Sequence, residues 1–131
     1  PARVTSEVDR ILSLTSLADH SGQKIKTLSG VMRRRVTIGS ALVGEPSLII
    51  LDEPSAGLDI GQRDSLSTIL GSVAEQAVTI VSTHLVEDII DHADTITIMN
   101  TGRLCFDGSV EDFSASRSLE AVRDAYLGLV S

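Results

Sequence analysis

"LIILDEPSAGLD", residues 48–59, decides the fold. An apolar run of β-branched and leucine side chains ends abruptly in two carboxylates, Asp52 and Glu53, followed by Pro54. A short continuous apolar run bounded by turn residues fits a buried parallel strand covered on both faces, expected here over 47–52. Charge at the end of such a strand is costly unless it acts on something. Downstream, "SAGLD" (55–59) is a small glycine-containing turn closing on a third carboxylate. Asp59, with Gln62 three residues later, forms a capping-box pattern and predicts a helix with Leu66, Ile69, Leu70 and Val73 as its buried stripe.

Working outward, "AVTIVST" (77–83) is a second strand, dense in β-branched residues. A short helix is expected over 85–93, and "TITIMN" (95–100) and "RLCFDG" (103–108) flank Thr101-Gly102 as a hairpin. Ser109 with Asp112 caps another helical turn. A last helix runs from about Arg117 to Leu129, with Leu119, Val122, Tyr126 and Leu129 on the face expected to pack on the body of the domain. Upstream, residues 4–17 carry apolar side chains at helical spacing, and 19–24 form a polar loop. Ser29 can cap a helix that ends near Gly44 and Pro46. Strands alternating with helices make an α/β pattern with parallel pairing.

The 131 residues carry a net charge of −7 and a pI near 4.8, which argues against nucleic acid as a partner. No apolar run approaches the length of a membrane span. One cysteine, Cys105, allows no internal disulfide and is expected to be a small buried hydrophobe. His20 and His92 are expected at the surface, and Arg33, Arg34 and Arg35 on an exposed helix face. Since the first residue is Pro1, the chain is expected to be a piece of a longer one.

In open α/β sheets, ligands sit beyond the carboxyl ends of the strands. Asp52-Glu53 and Ser82-Thr83-His84 both fall at such ends, 32 residues apart from Asp52 to His84, and are expected to be neighbours in space. A strand-end Asp suits Mg²⁺, which takes one or two carboxylates with phosphates and waters. The adjacent Glu points the other way and can address a water. With His84 as a hydrogen-bonding group, the set suits nucleoside triphosphate hydrolysis.

In order and spacing, "LSGVMRRR" (28–35), "LIILDEP" (48–54), "SAGLD" (55–59) and "STH" (82–84) resemble the signature motif, Walker B strand, D-loop and switch-histidine loop of the ATP-binding-cassette (ABC) ATPases. The resemblance covers about Thr5 to Phe113. It implies the C-terminal portion of a P-loop NTPase nucleotide-binding domain, a mostly parallel sheet flanked by helices without its phosphate-loop strand. Residues 1–45 would end a helical subdomain and carry the signature, 46–113 would form the catalytic α/β core, and 114–131 a C-terminal helix. The resemblance implies Asp52 as the Mg²⁺-associated residue, Glu53 as the base acting on water, and His84 as the contact to the γ-phosphate. It implies Ser29, Gly30 and Val31 as contacts to ATP held by the opposite cassette, and Asp59 as a residue crossing the dimer interface. Val31 departs from the family, which has a second glycine there, and Met32 replaces the usual Gln.

Nothing in the chain matches G-x-x-x-x-G-K-[ST]; "SGQKIKT" (21–27) lacks the spacing and follows no strand. The phosphate cradle is therefore expected upstream of Pro1, and the chain alone is expected to be inactive, and oligomeric or marginally stable through its uncovered sheet. The implied function is the ATP-hydrolysing subunit of a transporter, of the drug- or antibiotic-export type by "MRRR". It would act as a homodimer or heterodimer of nucleotide-binding domains, with a membrane permease subunit or domain, at the cytoplasmic face. The rivals are a degenerate regulatory half-cassette and a non-transport ABC ATPase.

Overall fold

The apolar run at 48–52 forms a strand because its β-branched side chains fit a pleated surface and find a parallel neighbour. The computed structural model describes residues 2–90 and 92–130. Its elements are α1 (Ala2–Leu14), α2 (Gly30–Ala41), β1 (Leu48–Asp52), α3 (Ile60–Ala74), β2 (Val78–Ser82), α4 (Glu87–Ile90), β3 (Thr95–Asn100), β4 (Arg103–Ser109), α5 (Val110–Phe113) and α6 (Leu119–Val130). One-turn 3₁₀ helices lie at Ala18–His20 and Ile25–Thr27. The chain divides into two compact units, Pro1–Ser82 and Thr83–Ser131.

In the first unit, β1, α3 and β2 form a parallel βαβ unit, with Leu48 opposite Val78 and Asp52 opposite Ser82. Ile49 and Leu51 are buried with Ile38 and Leu42 from the α2 side and Leu66, Ile69 and Val73 from α3. The expectation of a strand covered on both faces is corrected here. Leu48 is 50% exposed, Ile50 67%, Val78 66% and Ile80 52%, so the opposite face is open. Side chains alternate across a strand, and the helices that cover the sheet bury only one set. The cross-strand pairs Leu48–Val78 and Ile50–Ile80 make that open face continuous.

The first helix stops at Leu14, not at 17. Ser16 adopts φ +55°, and the Leu17 and Ser16 amides donate to the Leu12 and Ser13 carbonyls at 2.8 and 3.1 Å. That is a Schellman ending built on a serine where glycine is usual, so the sequence carries no stop signal. Leu17, counted by periodicity as helical, is the buried residue just past the end. α1 crosses α2 at Gly39, where a Cβ would lie 2.8 Å from Ile11 Cγ2; only glycine permits that approach without movement.

Polar ties reinforce the helices. Arg10 donates from Nη2 to Glu7 Oε1 at 2.9 Å and to the Leu42 carbonyl at 3.2 Å. Glu7 Oε1 also accepts from the Gly44 amide at 3.1 Å. These bonds join α1 to the end of α2. The Arg10 guanidinium and the Gly44 amide hold the Glu7 carboxyl down from 4.5 to about 2.

In the second unit, β3 does not extend the parallel pair but forms an antiparallel hairpin with β4. Thr101 and Gly102 both have positive φ, +47° and +77°, the type I′ geometry whose twist matches the strands. The register shifts between Ile98 and Met99, leaving Cys105 as the extra residue of a bulge. Ile96, Ile98 and Val110 form the core, with Phe106 and Phe113 packed on it at 5.0 Å between ring centroids. Ser109 caps α5, accepting from the Asp112 amide at 3.0 Å.

Other expectations change in this unit. The helix expected over 85–93 is the single turn α4; position 91 lies outside the described residues. Of the expected α6 face, Val122 is buried, whereas Leu119, Tyr126 and Leu129 are exposed. Arg117 donates to Glu111 Oε1 at 2.7 Å and to the Ala93 carbonyl at 2.9 Å, tying the start of α6 to the rest of the unit.

The depressed Glu7 carboxyl gives a pH signature. Its stabilising contribution is complete above the ordinary carboxylate value of 4.5 and fades as pH falls towards about 2. The melting temperature of wild type should therefore fall more between pH 5 and about 2 than that of Glu7→Gln; parallel curves would remove Glu7 from the tie.

Candidate functional site

β1 delivers its terminal residue beside the terminal residue of β2. In the parallel register Asp52 lies opposite Ser82, and the Ser82 hydroxyl donates to Asp52 Oδ1. Asp52 is exposed, so a carboxylate and a hydroxyl, both hard oxygen ligands, stand together at the carboxyl end of the sheet. The next residue turns. Glu53 has φ +45°, a left-handed conformation that costs a non-glycine residue about 1–2 kcal/mol. Its amide donates to the Ser82 carbonyl at 2.9 Å, the last rung of the ladder. The backbone is thus fixed by β2 at the residue where it leaves the sheet, and the Glu53 side chain is half-buried rather than continuing the strand alternation.

Beyond Glu53 the chain closes in two turns, with the Ala56 amide on the Glu53 carbonyl and the Leu58 amide on the Ser55 carbonyl, each at 3.2 Å. Pro54 and Ser55 are buried. Asp59 then starts α3. Its Oδ1 accepts from the Gln62 amide at 2.9 Å and its amide donates to Gln62 Oε1 at 3.2 Å, the expected capping box. Ile60, beside it, is 79% exposed on an open groove of about 490 Å³ also lined by Leu58, Gly61 and Arg63.

Ser29 stands at the start of α2, as expected, and its Oγ accepts from the Met32 amide at 3.2 Å. Gly30 is exposed, with nothing within 4 Å of where a Cβ would lie. Val31, half-buried, occupies an ordinary helical position in the first turn. His84 falls in the second unit and is exposed. The preceding Thr83 donates to Asp88 Oδ2 at 2.7 Å and accepts from the Leu85 amide at 3.0 Å, which shapes the turn bearing His84.

Two features escaped the sequence reading. Ser82 is the hydroxyl partner of Asp52, and strand register was the signal that could have found it. Of the three arginines expected on an exposed face, Arg33 is exposed, whereas Arg34 and Arg35 are half-buried. Arg33 folds back on the Leu28 carbonyl at 2.6 Å, Arg34 donates to the Ala56 carbonyl at 3.3 Å, and Arg35 donates to the Ser16 carbonyl at 3.4 Å and to Ser65 Oγ. Their lengths let them reach carbonyls left open where helices and turns end.

A family model described as ABC transporter matches residues 3–56. The energy-coupling factor transporter ATP-binding protein EcfA3 of Oenococcus oeni is 37% identical over 111 residues, which is 83% of this chain and 38% of that protein. The cobalt import ATP-binding protein CbiO of Rhodobacter capsulatus is 33% identical over 118 residues, 89% of this chain and 42% of that protein. The chain belongs to the ABC transporter ATP-binding proteins. A solved ATP-binding cassette of an ABC transporter superposes with a TM-score of 0.76 over 95% of this chain and 50% of that one, at 23% identity, and so shares the fold. This ABC chain spans about two-fifths of the length of these curated relatives. The α/β class expected from the strand pattern is the class of the ABC cassette. No described helix is long and apolar enough to cross a membrane.

The left-handed backbone at Glu53 is testable by stability alone. Glu53→Gly should be more stable than Glu53→Ala by about 1 kcal/mol, since glycine adopts positive φ without a Cβ clash. Denaturant midpoints of the two variants measure the difference; a more stable alanine variant would remove the strain.

Proposed function

We propose that the intact protein hydrolyses ATP as a nucleotide-binding subunit or domain of an ABC transporter, and that this chain supplies the metal-binding, water-activating, switch and signature groups but neither the phosphate cradle nor the glutamine loop. The observation that carries the reading is the strand end: Asp52 hydrogen-bonded to Ser82, followed at once by Glu53 with its backbone turned out of the sheet. Residues 1–45 would present the signature, 46–113 the catalytic core and 114–131 a closing helix.

Asp52 would hold Mg²⁺. Among the described residues no three His, Cys, Asp or Glu side chains gather into a closed metal site. A single carboxylate with a neighbouring hydroxyl nevertheless suits Mg²⁺, which keeps waters and phosphate oxygens as its other ligands. The ion would neutralise charge on the phosphates. Glu53 takes the proton from the attacking water as the new bond to the γ-phosphorus forms and the bond to the bridging oxygen breaks. His84 donates a hydrogen bond to the γ-phosphate. Ser29 and the free amides at the start of α2, including those of Gly30 and Val31, donate to the γ-phosphate of ATP held by the opposite cassette. The open space around Gly30 leaves room for such an approach.

Two cassettes, identical or not, would pair head to tail, with Asp59 and the exposed Ile60 at the shared interface. A membrane permease subunit or domain would be the coupled partner, which puts the cassette at the cytoplasmic face of the membrane. The net charge of −7 sets nucleic acid aside as a partner. CbiO is named for cobalt import, and that favours import over the drug-export reading, which rests on "MRRR" alone. No observation favours a regulatory half-cassette or a non-transport ATPase.

In the full-length protein, Glu53→Gln should bind ATP as wild type does and lose turnover by roughly 10²–10⁴-fold, the scale of a positioned base. Equilibrium nucleotide binding and phosphate release measure the two; turnover within a few-fold of wild type would end the role of Glu53.

A further inference from the structure

The candidate groups of the first unit lie on separate elements: Ser29 to Val31 at the start of α2, Glu53 and Asp59 at the two ends of the loop joining β1 to α3. The Arg34 side chain spans two of them directly. Arg34, half-buried on the second turn of α2, donates from Nη2 to the carbonyl of Ala56, 22 residues away in the middle of that loop. We infer that Arg34 is a positioning residue, which fixes the loop carrying Glu53 and Asp59 to the helix whose first turn carries Ser29 and Gly30. The inference rests on the proposed ATPase reading for its catalytic consequence, but not for the contact itself.

The surroundings make this bond the junction. The loop's internal bonds are two tight turns, at 53–56 and 55–58, which give it a shape but anchor it to no other element. From the α3 side, Arg63 Nε holds the Leu58 carbonyl at 3.1 Å. From the α2 side, Arg34 holds the Ala56 carbonyl. Arg35, the next residue, donates to Ser65 Oγ on α3 and to the Ser16 carbonyl at the end of α1. So α2 is fastened to α1 and α3 by Arg35, while the loop between β1 and α3 is fastened to α2 by Arg34. A displacement of the α2 start is therefore passed to the middle of the loop through a guanidinium rather than through soft apolar contact. A cationic donor to a carbonyl is stronger than a neutral hydrogen bond. Arg34 touches neither water nor phosphate in this scheme; it acts through the placement of Glu53 and Asp59.

The experiment uses the full-length protein with Arg34→Ala and Arg34→Lys. Amide hydrogen exchange at Ala56 and Leu58 reports the tie, and steady-state ATP hydrolysis reports its use. Arg34→Ala should speed exchange at both amides by about tenfold, the scale of a lost charge-assisted bond. It should lower kcat by about tenfold through misplacement of Glu53, with KM for ATP changed by no more than about twofold. Arg34→Lys, which keeps a cationic donor of similar reach, should recover most of both effects. Unchanged exchange in Arg34→Ala overturns the tie. Faster exchange with unchanged kcat reduces Arg34 to a structural contact and overturns the positioning role. So does an equal loss in Arg34→Lys, because the donor would then not be what matters. If wild type hydrolyses no ATP, the functional reading falls by itself; the tie is then decided by exchange alone, faster keeping it and unchanged overturning it.

Discussion

The parallel pairing of β1 with β2 is the constraint on which the candidate site depends. Its register sets Asp52 opposite Ser82, and its last rung, from the Glu53 amide to the Ser82 carbonyl, fixes the residue where the chain leaves the sheet. A slip of one residue would move Asp52 to the other face and take the hydroxyl from its carboxylate. The βαβ connection through α3 makes that slip costly. Ile49 and Leu51 would leave the core formed with Leu66, Ile69 and Val73, and each such burial is worth about 1.5–3 kcal/mol. The chemistry at the strand ends is thus held by apolar packing several residues away.

Strain and rigidity sit next to each other at this point. Glu53 is held at positive φ between a ladder hydrogen bond and buried Pro54 and Ser55. Such a conformation persists only where its neighbours over-determine it, and it aims a side chain away from the line a regular strand would give. The arginines of α2 extend the same logic outward. They fasten helix ends and a loop through carbonyls that secondary structure leaves open, so polar groups at element boundaries become joints.

The open face of the β1–β2 pair has the opposite character. Leu48, Ile50, Val78 and Ile80 present a continuous apolar surface that no described element of their unit covers. An isolated two-stranded sheet with one bare apolar face is marginal, and most of its stability must come from the helices on the other side. The site and the bare face belong to the same strands and to the same side of them: alternation sets Asp52 in line with Leu48 and Ile50, and Ser82 in line with Val78 and Ile80.

The sequence by itself determined the features that span four residues or fewer. The Ser29 cap, the Asp59–Gln62 capping box, the Ser109 cap and the Thr101-Gly102 turn are each local bonds or local dihedrals, and each stands where its residues predict. The strand ending at Asp52 was legible for the same reason, and so was the order of the motifs that mark the family. Tertiary structure decided the rest. Whether β1 is covered on one face or two depends on how many helices reach it. The end of α1 depends on Ser16 accepting a left-handed conformation for the sake of burying Leu17. Arg34 and Arg35 read as a solvated face until α1, α3 and the loop come within reach. Asp52 finds Ser82 across 30 residues and Arg34 finds Ala56 across 22. Contacts over such separations follow from packing and register, which no window of neighbouring residues contains.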